Sequence, residues 1–429
     1  MIYTDIYNAP AYKRSRTAYT AQCAFEYFAT LLVSDAYIAK LLLEAGIDVA
    51  TVGIISTLNQ LSCVPSLLSI PLAKYGKNAK GTLLMTRTVS MLMFMLLYFV
   101  PFFSVPRAFR TALVMILMCG GHFFVQVSSP AYSRWSFSFI EPGKRARFSA
   151  LKEMISLLSG ILFTYCVGIV FDRYEMAGNL RGVFLLIAGT IFALNVLSFV
   201  CLSLMNRERD ELSAVDRNMD ILKNIKDTLR NRSFIHIVIL TTLFSFGQYL
   251  TSGFLGTYKT VELAYSVGTV QIINVFACLA RFAISMPFGI YSDRHSYAKG
   301  YTLAMLFAVL AFIASMLTTP GMRWLMIVHT VLYYISMAGT VQNTVNMCFG
   351  CVQPENLVAA MAIRSAVAGV CAFIASMVGS RIMTLVQRNG NALFGIPVYG
   401  QQVLSALSVA IILAAVVFSQ RVIQKKPAR

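Results

Sequence analysis

The fold is decided by two stretches, PGKRARFSALKEMISLLSGILFTYCVGIV (142–170) and PENLVAAMAIRSAVAGVCAFIASMVGSRI (354–382). Each begins with a proline and carries one matching cation, Lys152 in the first and Arg364 in the second. Small residues then follow at every fourth position, namely Ser156, Gly160, Thr164 and Gly168, and Ala368, Ala372, Ser376 and Ser380. On a helix this spacing forms one narrow stripe, along which another helix can approach closely. The repeat predicts two related halves.

The composition indicates a membrane protein. Hydrophobic residues make up 57% of the 429 residues, charged residues make up 13%, and the mean hydropathy is +0.68. A soluble chain of this length cannot bury so much apolar surface, so most of it must face lipid. Apolar stretches of about 20 residues, the length that crosses a bilayer, predict about twelve transmembrane helices. The predicted spans are 18–42, 48–73, 82–103, 108–131, 150–171, 182–205, 234–258, 264–290, 300–318, 323–348, 357–384 and 401–420.

The net charge of +18 is unevenly distributed along the predicted topology. Most Lys and Arg, Arg87 among them, fall on one side of the membrane, while Arg281 is the only cation placed well inside a span. Cationic loops resist translocation, so this side is cytoplasmic and holds both termini. We expect a multi-pass protein of the cell (cytoplasmic) membrane, whose basicity reflects topology and involves no nucleic acid.

A charged segment separates the two halves. Residues 206–233 are rich in charge, yet Leu222, Ile225 and Leu229 recur at helical spacing, which favours an amphipathic cytoplasmic helix. A solvated linker with partial helicity is the alternative. The expected domains are an N-terminal six-helix half at 1–205, this linker, and a C-terminal six-helix half at 234–429. A membrane protein duplicated in this way is typical of secondary transporters.

A second repeat carries a family resemblance. GIYSDRHSYAK (289–299) and LAKYGKNAK (72–80) occupy matching loops in the two halves. With the span count and central linker, they resemble the major facilitator superfamily, whose halves each carry a G-x-x-x-D-R-x-x-x-x-K type loop here. The second copy matches well through Asp293 and Arg294, whereas in the first copy Lys74 stands at the usual Asp position. The resemblance implies a fold of twelve transmembrane helices in two pseudo-symmetric halves.

The same resemblance implies gating contacts. The loop Asp after the eighth span faces the start of the fifth, so Asp293 is expected near Arg147 and a helix N-terminus, which favours an anion. The first-half loop would face the start of the eleventh span, where Lys74 would meet Glu355. We expect two cytoplasmic latches of opposite polarity.

Polar residues inside spans are costly and therefore informative. They form one-sided stripes on several helices, whereas the third, sixth, ninth and twelfth spans have almost none at mid-depth. The resemblance makes those four helices peripheral and the others cavity-lining. The candidate cavity residues are Thr30, Asn59, Gln60, Gln126, Gln248, Gln271, Asn274, Arg281, Gln342, Asn343 and Asn346. Polar stripes that meet between two repeats are where a transporter site is expected.

Three ionisable residues have open alternatives. Glu26 is a candidate for proton coupling, because burial favours the protonated carboxyl, or else a fixed structural partner of a neighbouring group. His122 is a second coupling candidate, or a neutral core histidine. Arg281 cannot lose its proton and needs an anion, which could be Glu26, Asp35 or a substrate anion; an internal pair is favoured.

The function predicted from these features is transport. No Walker loop, HExxH or GxSxG motif is present, so we expect neither ATP hydrolysis nor enzymatic activity, and no cofactor or metal. We predict proton-coupled uptake (symport) of a small polar organic solute, such as a sugar or related metabolite, by a monomer that works by alternating access. The alternatives are efflux of drugs or metabolites by antiport, which the absence of a Gly-Pro dipeptide from the fifth span disfavours, and a non-transporting receptor.

Overall fold

The computed structural model describes residues 10–33, 41, 44, 63–75, 79–206, 221–265, 267–393 and 396–424. The helices are α1 (Pro10–Leu32), α2 (Ser69–Tyr75), α3 (Ala79–Leu97), α4 (Arg107–Phe137), α5 (Arg145–Met176), α6 (Leu180–Leu204), α7 (Ile221–Arg230), α8 (Arg232–Ser252), α9 (Leu255–Thr257), α10 (Val267–Arg294), α11 (Tyr297–Met316), α12 (Leu325–Cys351), α13 (Leu357–Arg388) and α14 (Gly400–Phe418). The architecture is all-α, as predicted.

Short irregular helices connect these elements. The 3₁₀ turns are Val64–Leu68, Val100–Phe102, Pro142–Lys144, Pro320–Met322 and Pro354–Asn356. Each has a proline at its first or second position, where the fixed φ suits a helix start and the missing N–H costs no bond. Two π-helical turns occupy Tyr258–Glu262 and Ser419–Ile423.

Within the described residues, ten helices are long and apolar enough to cross a membrane: α3 to α6, α8 and α10 to α14. They correspond to the third to twelfth predicted spans. Helix α1 overlaps the first predicted span but is not among the ten, since it carries Lys13, Arg14, Arg16 and Glu26. Most of the second predicted span lies outside the described residues.

One small departure from helix follows α13. Gly390 and Asn391 have φ values of +68° and +55°, a left-handed conformation that ends the helix and turns the chain. A two-stranded antiparallel hairpin comes next, formed by β1 (Ala392–Leu393) and β2 (Ile396–Pro397). The sequence did not predict these strands, which are too short to show an alternating pattern.

The chain divides into two compact units. The first comprises residues 1–142 and 155–224, and the second comprises 143–154 and 225–429. The first turns of α5 therefore group with the second unit, whereas the predicted halves keep α5 whole. The predicted linker is described only in part: α7 is helical as expected, and Asn231 Oδ1 caps the following helix by accepting from Ser233 N at 3.0 Å.

Three helix–helix contacts recur in the two units. In the first unit α3 packs against α4 and α6, and α1 packs against α6. In the second unit α11 packs against α12 and α14, and α8 packs against α14. Because α1, α3, α4 and α6 match α8, α11, α12 and α14 in order, the same contacts recur in both units. The fold thus carries the duplication that the sequence repeat predicted.

Close helix approach stabilises these contacts. A Cβ on Gly121 would overlap the ring of Phe94, and one on Gly339 would lie 2.6 Å from Ala304 Cβ. In the second unit, hydroxyl pairs join α14 to its neighbours, with Ser315–Ser405 at 2.9 Å. Without a hydrophobic driving force between helices in lipid, such packing and interhelical hydrogen bonds hold a bundle together.

Candidate functional site

The first unit contains a buried ion pair between α1 and α3. Arg87 Nη1 donates to Glu26 Oε1, and the two side chains are only 8% and 19% exposed. Gln22 Nε2 donates to the other carboxylate oxygen at 2.8 Å. The sequence placed Arg87 among the cytoplasmic cations and made Arg281 the only cation inside a span. This was wrong, because Arg87 is buried within α3 with an acidic partner.

Neighbouring helices enclose this pair. Tyr132 of α4 donates its hydroxyl to Gln22 Oε1, and its ring lies 4.2 Å below the Arg87 guanidinium carbon. Gln22 also donates to Ser198 Oγ of α6 at 3.2 Å. We call Gln22, Glu26, Arg87, Tyr132 and Ser198 the first-unit cluster. Both Glu26 oxygens and both ends of Gln22 are engaged, a contact pattern that matches the structural alternative for Glu26.

The second unit contains a second ion pair, between α5 and α10. Arg281 Nε donates to Glu153 Oε1 at 2.5 Å, and its Nη2 contacts the same oxygen. Gln342 Nε2 of α12 donates to Glu153 Oε2 at 3.3 Å. The Arg281 and Glu153 side chains are 19% and 12% exposed. We call Glu153, Arg281 and Gln342 the second-unit cluster.

Arg281 therefore has an internal anion, as favoured from the sequence, but none of the three anions considered. Sequence reasoning missed Glu153, although one signal was available. Glu153 lies three residues before Ser156 and seven before Gly160, so it shares the face of the small-residue stripe. A carboxylate on a face that approaches other helices needs a partner there.

Three predicted cavity residues line up on α12. Gln342, Asn343 and Asn346 are 3%, 0% and 0% exposed. Asn343 Nδ2 donates to Gly339 O at 2.9 Å. Gln342 Oε1, Asn343 Oδ1 and both amide atoms of Asn346 have no partner in the described part of the chain. A fourth predicted residue, Gln248 of α8, hydrogen-bonds Tyr333 of α12.

The remaining candidates have few contacts. His122 is half-buried and packs edge-to-face with Phe94, at 5.1 Å between ring centroids. Gln126 donates to Cys63 Sγ at 3.5 Å, and exposed Thr30 donates to its own helix. Asn274 is half-buried on α10. Outside the described residues lie Asp35, Asn59, Gln60 and the side chain of Gln271.

Of the predicted gating residues at the end of α10, Asp293 has hydrogen-bond partners on another helix. Asp293 accepts the backbone N–H groups of Ala146 and Arg147, at 3.2 and 2.9 Å, and a hydrogen bond from Tyr297. These are first-turn amides of α5, whose N–H groups lack intrahelical partners and favour an anion. Arg294 is exposed.

The second predicted latch, Lys74 with Glu355, is described only for Glu355. Glu355 lies exposed in the turn Pro354–Asn356, at the start of α13. The side chain of Lys74 lies outside the described residues. The opposed polarity of the two latches stays a prediction.

Solved structures place this fold among transporters. The proton:xylose symporter bound to a glucose derivative aligns with a TM-score of 0.69 at 11% identity, covering 96% of each chain. The E. coli fucose:proton symporter aligns at 0.68 and 12%, covering 96% of this chain and 99% of that one. A bacterial homologue of the iron transporter ferroportin aligns at 0.67 and 13%, covering 96% and 99%. At these identities the likeness shows the fold alone.

Sequence comparison assigns the family. A search of curated proteins finds no matching relative. The profile of the Major Facilitator Superfamily, by contrast, matches residues 21–376, well over half of the 429 residues. This agrees with the duplicated helix packing and with the Asp293 loop at the start of α5. The chain is a multi-pass membrane protein that belongs to the major facilitator superfamily of transporters.

Proposed function

We propose that the protein is a proton-coupled secondary transporter that takes up a small polar organic solute, such as a sugar, by alternating access. The observation that carries this proposal is the second-unit cluster, a carboxylate–guanidinium pair inside candidate spans and next to a row of buried amides. Among the aligned structures, two are of sugar:proton symporters by their own descriptions. Amide-rich surfaces suit a hydroxylated solute, because each amide both donates and accepts.

The proton would act at Glu153. An arginine keeps its proton, so the pair can change charge only when Glu153 gains or loses one. Protonation would remove the charge attraction to Arg281 and free its guanidinium for a solute oxygen. Glu153 thereby joins Glu26 and His122 as a coupling candidate, and we rank it first because its partner Gln342 has a carbonyl oxygen without a hydrogen-bond partner among the described residues.

The same pair would take part in alternating access. Glu153 and the amides that Asp293 binds lie in 143–154, the part of α5 that groups with the second unit. Residues 155–176 of the same helix group with the first unit. Alternating access requires contacts at helix starts of this kind to be made and broken in turn. We therefore assign Asp293 and Arg294 a gating role, with Lys74 and Glu355 as the second latch.

Transport in proteoliposomes tests the proposal. A pH gradient, inside alkaline, should drive uphill accumulation of a solute identified by a thermal-shift screen of sugars, organic acids, amino acids and nucleosides. Glu153→Gln should abolish accumulation and leave solute exchange measurable, because a neutral amide cannot titrate. Glu262→Gln, outside the spans, is the matched control. Unchanged accumulation in Glu153→Gln would reject this coupling site, and accumulation driven only by the opposite gradient would identify an efflux antiporter.

Orientation and assembly are further proposals. We infer a monomer in the cell membrane, with both termini cytoplasmic, and no enzymatic activity. Labelling of engineered cysteines at 74–80, 206–232 and 294–299 in intact cells should fail from outside, because cationic loops stay cytoplasmic. External labelling of any of these segments would reject the topology.

A further inference from the structure

A groove lies in the first unit, between the first three turns of α1 and the last turn of α6. Its volume of about 530 Å³ falls within the range of about 300–1,000 Å³ that ligand pockets span. Its lining includes two cations and an apolar wall, formed by Lys13, Arg14, Ala18, Ala21, Cys201 and Leu204. We call it the α1–α6 groove.

The apolar part of the groove lies at the depth of the membrane. Ala18 and Ala21 fall within the first predicted span, 18–42, and Cys201 lies in the last turn of α6, a candidate span. The neighbouring Val200 is 45% exposed on the same helix. Exposed apolar side chains on a spanning helix suit contact with lipid tails, whereas a soluble partner does not reach this depth.

The charged part of the groove lies before the predicted span. Lys13 and Arg14 are both exposed, and no acidic residue is present in the described lining. Seven residues separate Arg14 from Ala21, which is about 10 Å along a helix. The groove therefore places two positive charges at one end and an apolar wall about 10 Å further along the same helix.

Other cations of the first unit are engaged with the protein. Arg16 and Lys80 donate to main-chain oxygens, at 3.1 and 2.6 Å. By contrast, within the described part of the chain neither Lys13 nor Arg14 has a salt bridge or a hydrogen bond from its side chain. The two cations of the groove are thus available to an anion from outside the chain.

The walls of the groove are joined at their ends. Asn206, which follows α6, donates its backbone N–H to Ser15 Oγ of α1 at 3.0 Å. Its carbonyl oxygen accepts from Trp135 Nε1 of α4, also at 3.0 Å. Because these bonds fix the end of α6 on α1, the spacing of the two walls does not depend on a ligand.

We propose that the α1–α6 groove binds one anionic phospholipid of the membrane leaflet at this end. The phosphate would accept two parallel bonds from the planar guanidinium of Arg14 and a further bond from Lys13, while one acyl chain lies along Ala21 and Cys201. A zwitterionic lipid carries a cationic group that the two side chains repel. Basic pockets between membrane helices bind anionic headgroups in this way.

Lipid retention by the full-length protein, measured by native mass spectrometry in detergent, tests the charges. The wild type should retain one phosphatidylglycerol in preference to phosphatidylcholine with the same chains. Lys13→Gln with Arg14→Gln should weaken retention about thirtyfold, since one cation near an anionic lipid contributes roughly fivefold. Lys226→Gln with Arg230→Gln removes two exposed charges of α7 and is the matched control. It should bind as the wild type does.

A second pair of variants tests the apolar wall. Cys201→Phe fills the groove and should weaken retention of phosphatidylglycerol at least about tenfold, roughly what two buried CH₂ groups contribute. Val200→Phe introduces the same ring one residue earlier, outside the groove lining, and should change nothing. Should Cys201→Phe fail to fold, Ala21→Val narrows the groove from the α1 side and is tested in the same way.

Several outcomes would overturn the proposal. Equal retention of the two lipids, or wild-type retention after loss of both cations, would show that the charges select no lipid. Full retention in Cys201→Phe would indicate surface attraction without a groove. Displacement of the lipid by glycerol phosphate at equal concentration would identify a site for soluble anions, and a dimer that Cys201→Phe separates would place a second copy in the groove. None of these measurements involves solute transport, so their outcome is independent of the proposed function.

Discussion

The two ion pairs show how one duplicated fold uses buried charge differently. In the first unit Glu26 and Arg87 are surrounded by groups that bond each other, and Gln22 uses both ends of its amide. In the second unit Gln342 has the corresponding place beside Glu153, but its oxygen and the amide of Asn346 lack partners. Of the polar atoms in the first-unit cluster, Arg87 Nε alone lacks a partner among the described residues, whereas the second pair lies beside several unpartnered polar groups. The more completely bonded pair fixes helices, and the other retains something to exchange.

Breaking the pairs one at a time should give the largest effect. Arg87→Met leaves Glu26 buried without its cation, and we expect a loss of about 3–5 kcal/mol in the free energy of unfolding. Arg281→Met should cost about 1–3 kcal/mol, because Glu153 keeps its hydrogen bond from Gln342 and can take up a proton. Denaturant unfolding of the detergent-purified variants measures both. Equal losses of stability in the two variants would contradict the assignment of a structural role to Glu26–Arg87 and a transport role to Glu153–Arg281.

The small-residue stripe offers a test in α5. A Cβ on Gly160 would overlap the Tyr27 ring of α1, whereas nothing lies within 4 Å of one on Gly168. Gly160→Leu should therefore destabilise the first unit by about 1–3 kcal/mol through overpacking and block transport at near-normal membrane insertion. Gly168→Leu, on the same stripe, should leave stability and transport unchanged and serves as the control. Similar behaviour of both variants would mean that this face is not packed as described.

The cap on α5 should have a smaller effect. Asp293→Asn keeps the side-chain shape but removes the charge that accepts from Ala146 N and Arg147 N. We expect a loss of about 0.5–2 kcal/mol and a shift towards the inward-open state, because this contact holds the start of α5. Accessibility of cysteines placed on the two sides of the membrane reports the shift. An unchanged distribution would show that the cap stabilises the helix without gating.

Lys259, a half-buried cation outside the predicted spans, can be compared with the two paired arginines. Burial lowers the pKa of Lys259 to about 8, and no salt bridge is recorded for it in the described part of the chain. A base whose folded pKa lies below its unfolded value destabilises the fold fully below pH 8, and this penalty fades as the pH rises towards 10. Between pH 7 and pH 10 the wild type should gain about 2–3 kcal/mol relative to Lys259→Met, in which this titration is absent. A constant difference would mean that Lys259 stays charged in the folded state.

Much of the fold could be predicted because its signals are local. Lipid requires apolar helices of a set length, and the positive loops report which side they face. The repeated prolines, cations and small residues in 142–170 and 354–382 predicted two related halves, and the same helix packing recurs in both units. The hairpin after α13 could not be foreseen, since two left-handed residues and four strand residues leave no periodic pattern.

The polar faces of single helices were predictable, but not the pairs that they form. Spacing alone places Gln342 and Asn346 on one face of α12, and both are buried there together with Asn343. Which faces meet depends on helix packing across long separations in sequence. Arg281 and Glu153 are 128 residues apart, and Arg87 and Glu26 are 61 apart. Nothing local to either arginine distinguishes its partner from the other acids of the chain.

The sequence by itself determined that this chain crosses a membrane in two related halves, because hydropathy and repeat spacing act within single helices. Only the tertiary structure decided what each buried charge does. Packing of α1 on α3 gives Glu26 a cation and a closed surrounding, while packing of α5 on α10 and α12 gives Glu153 a cation and a row of unsatisfied amides. In an apolar medium a charge must find its partner, and the fold alone sets which one lies within reach.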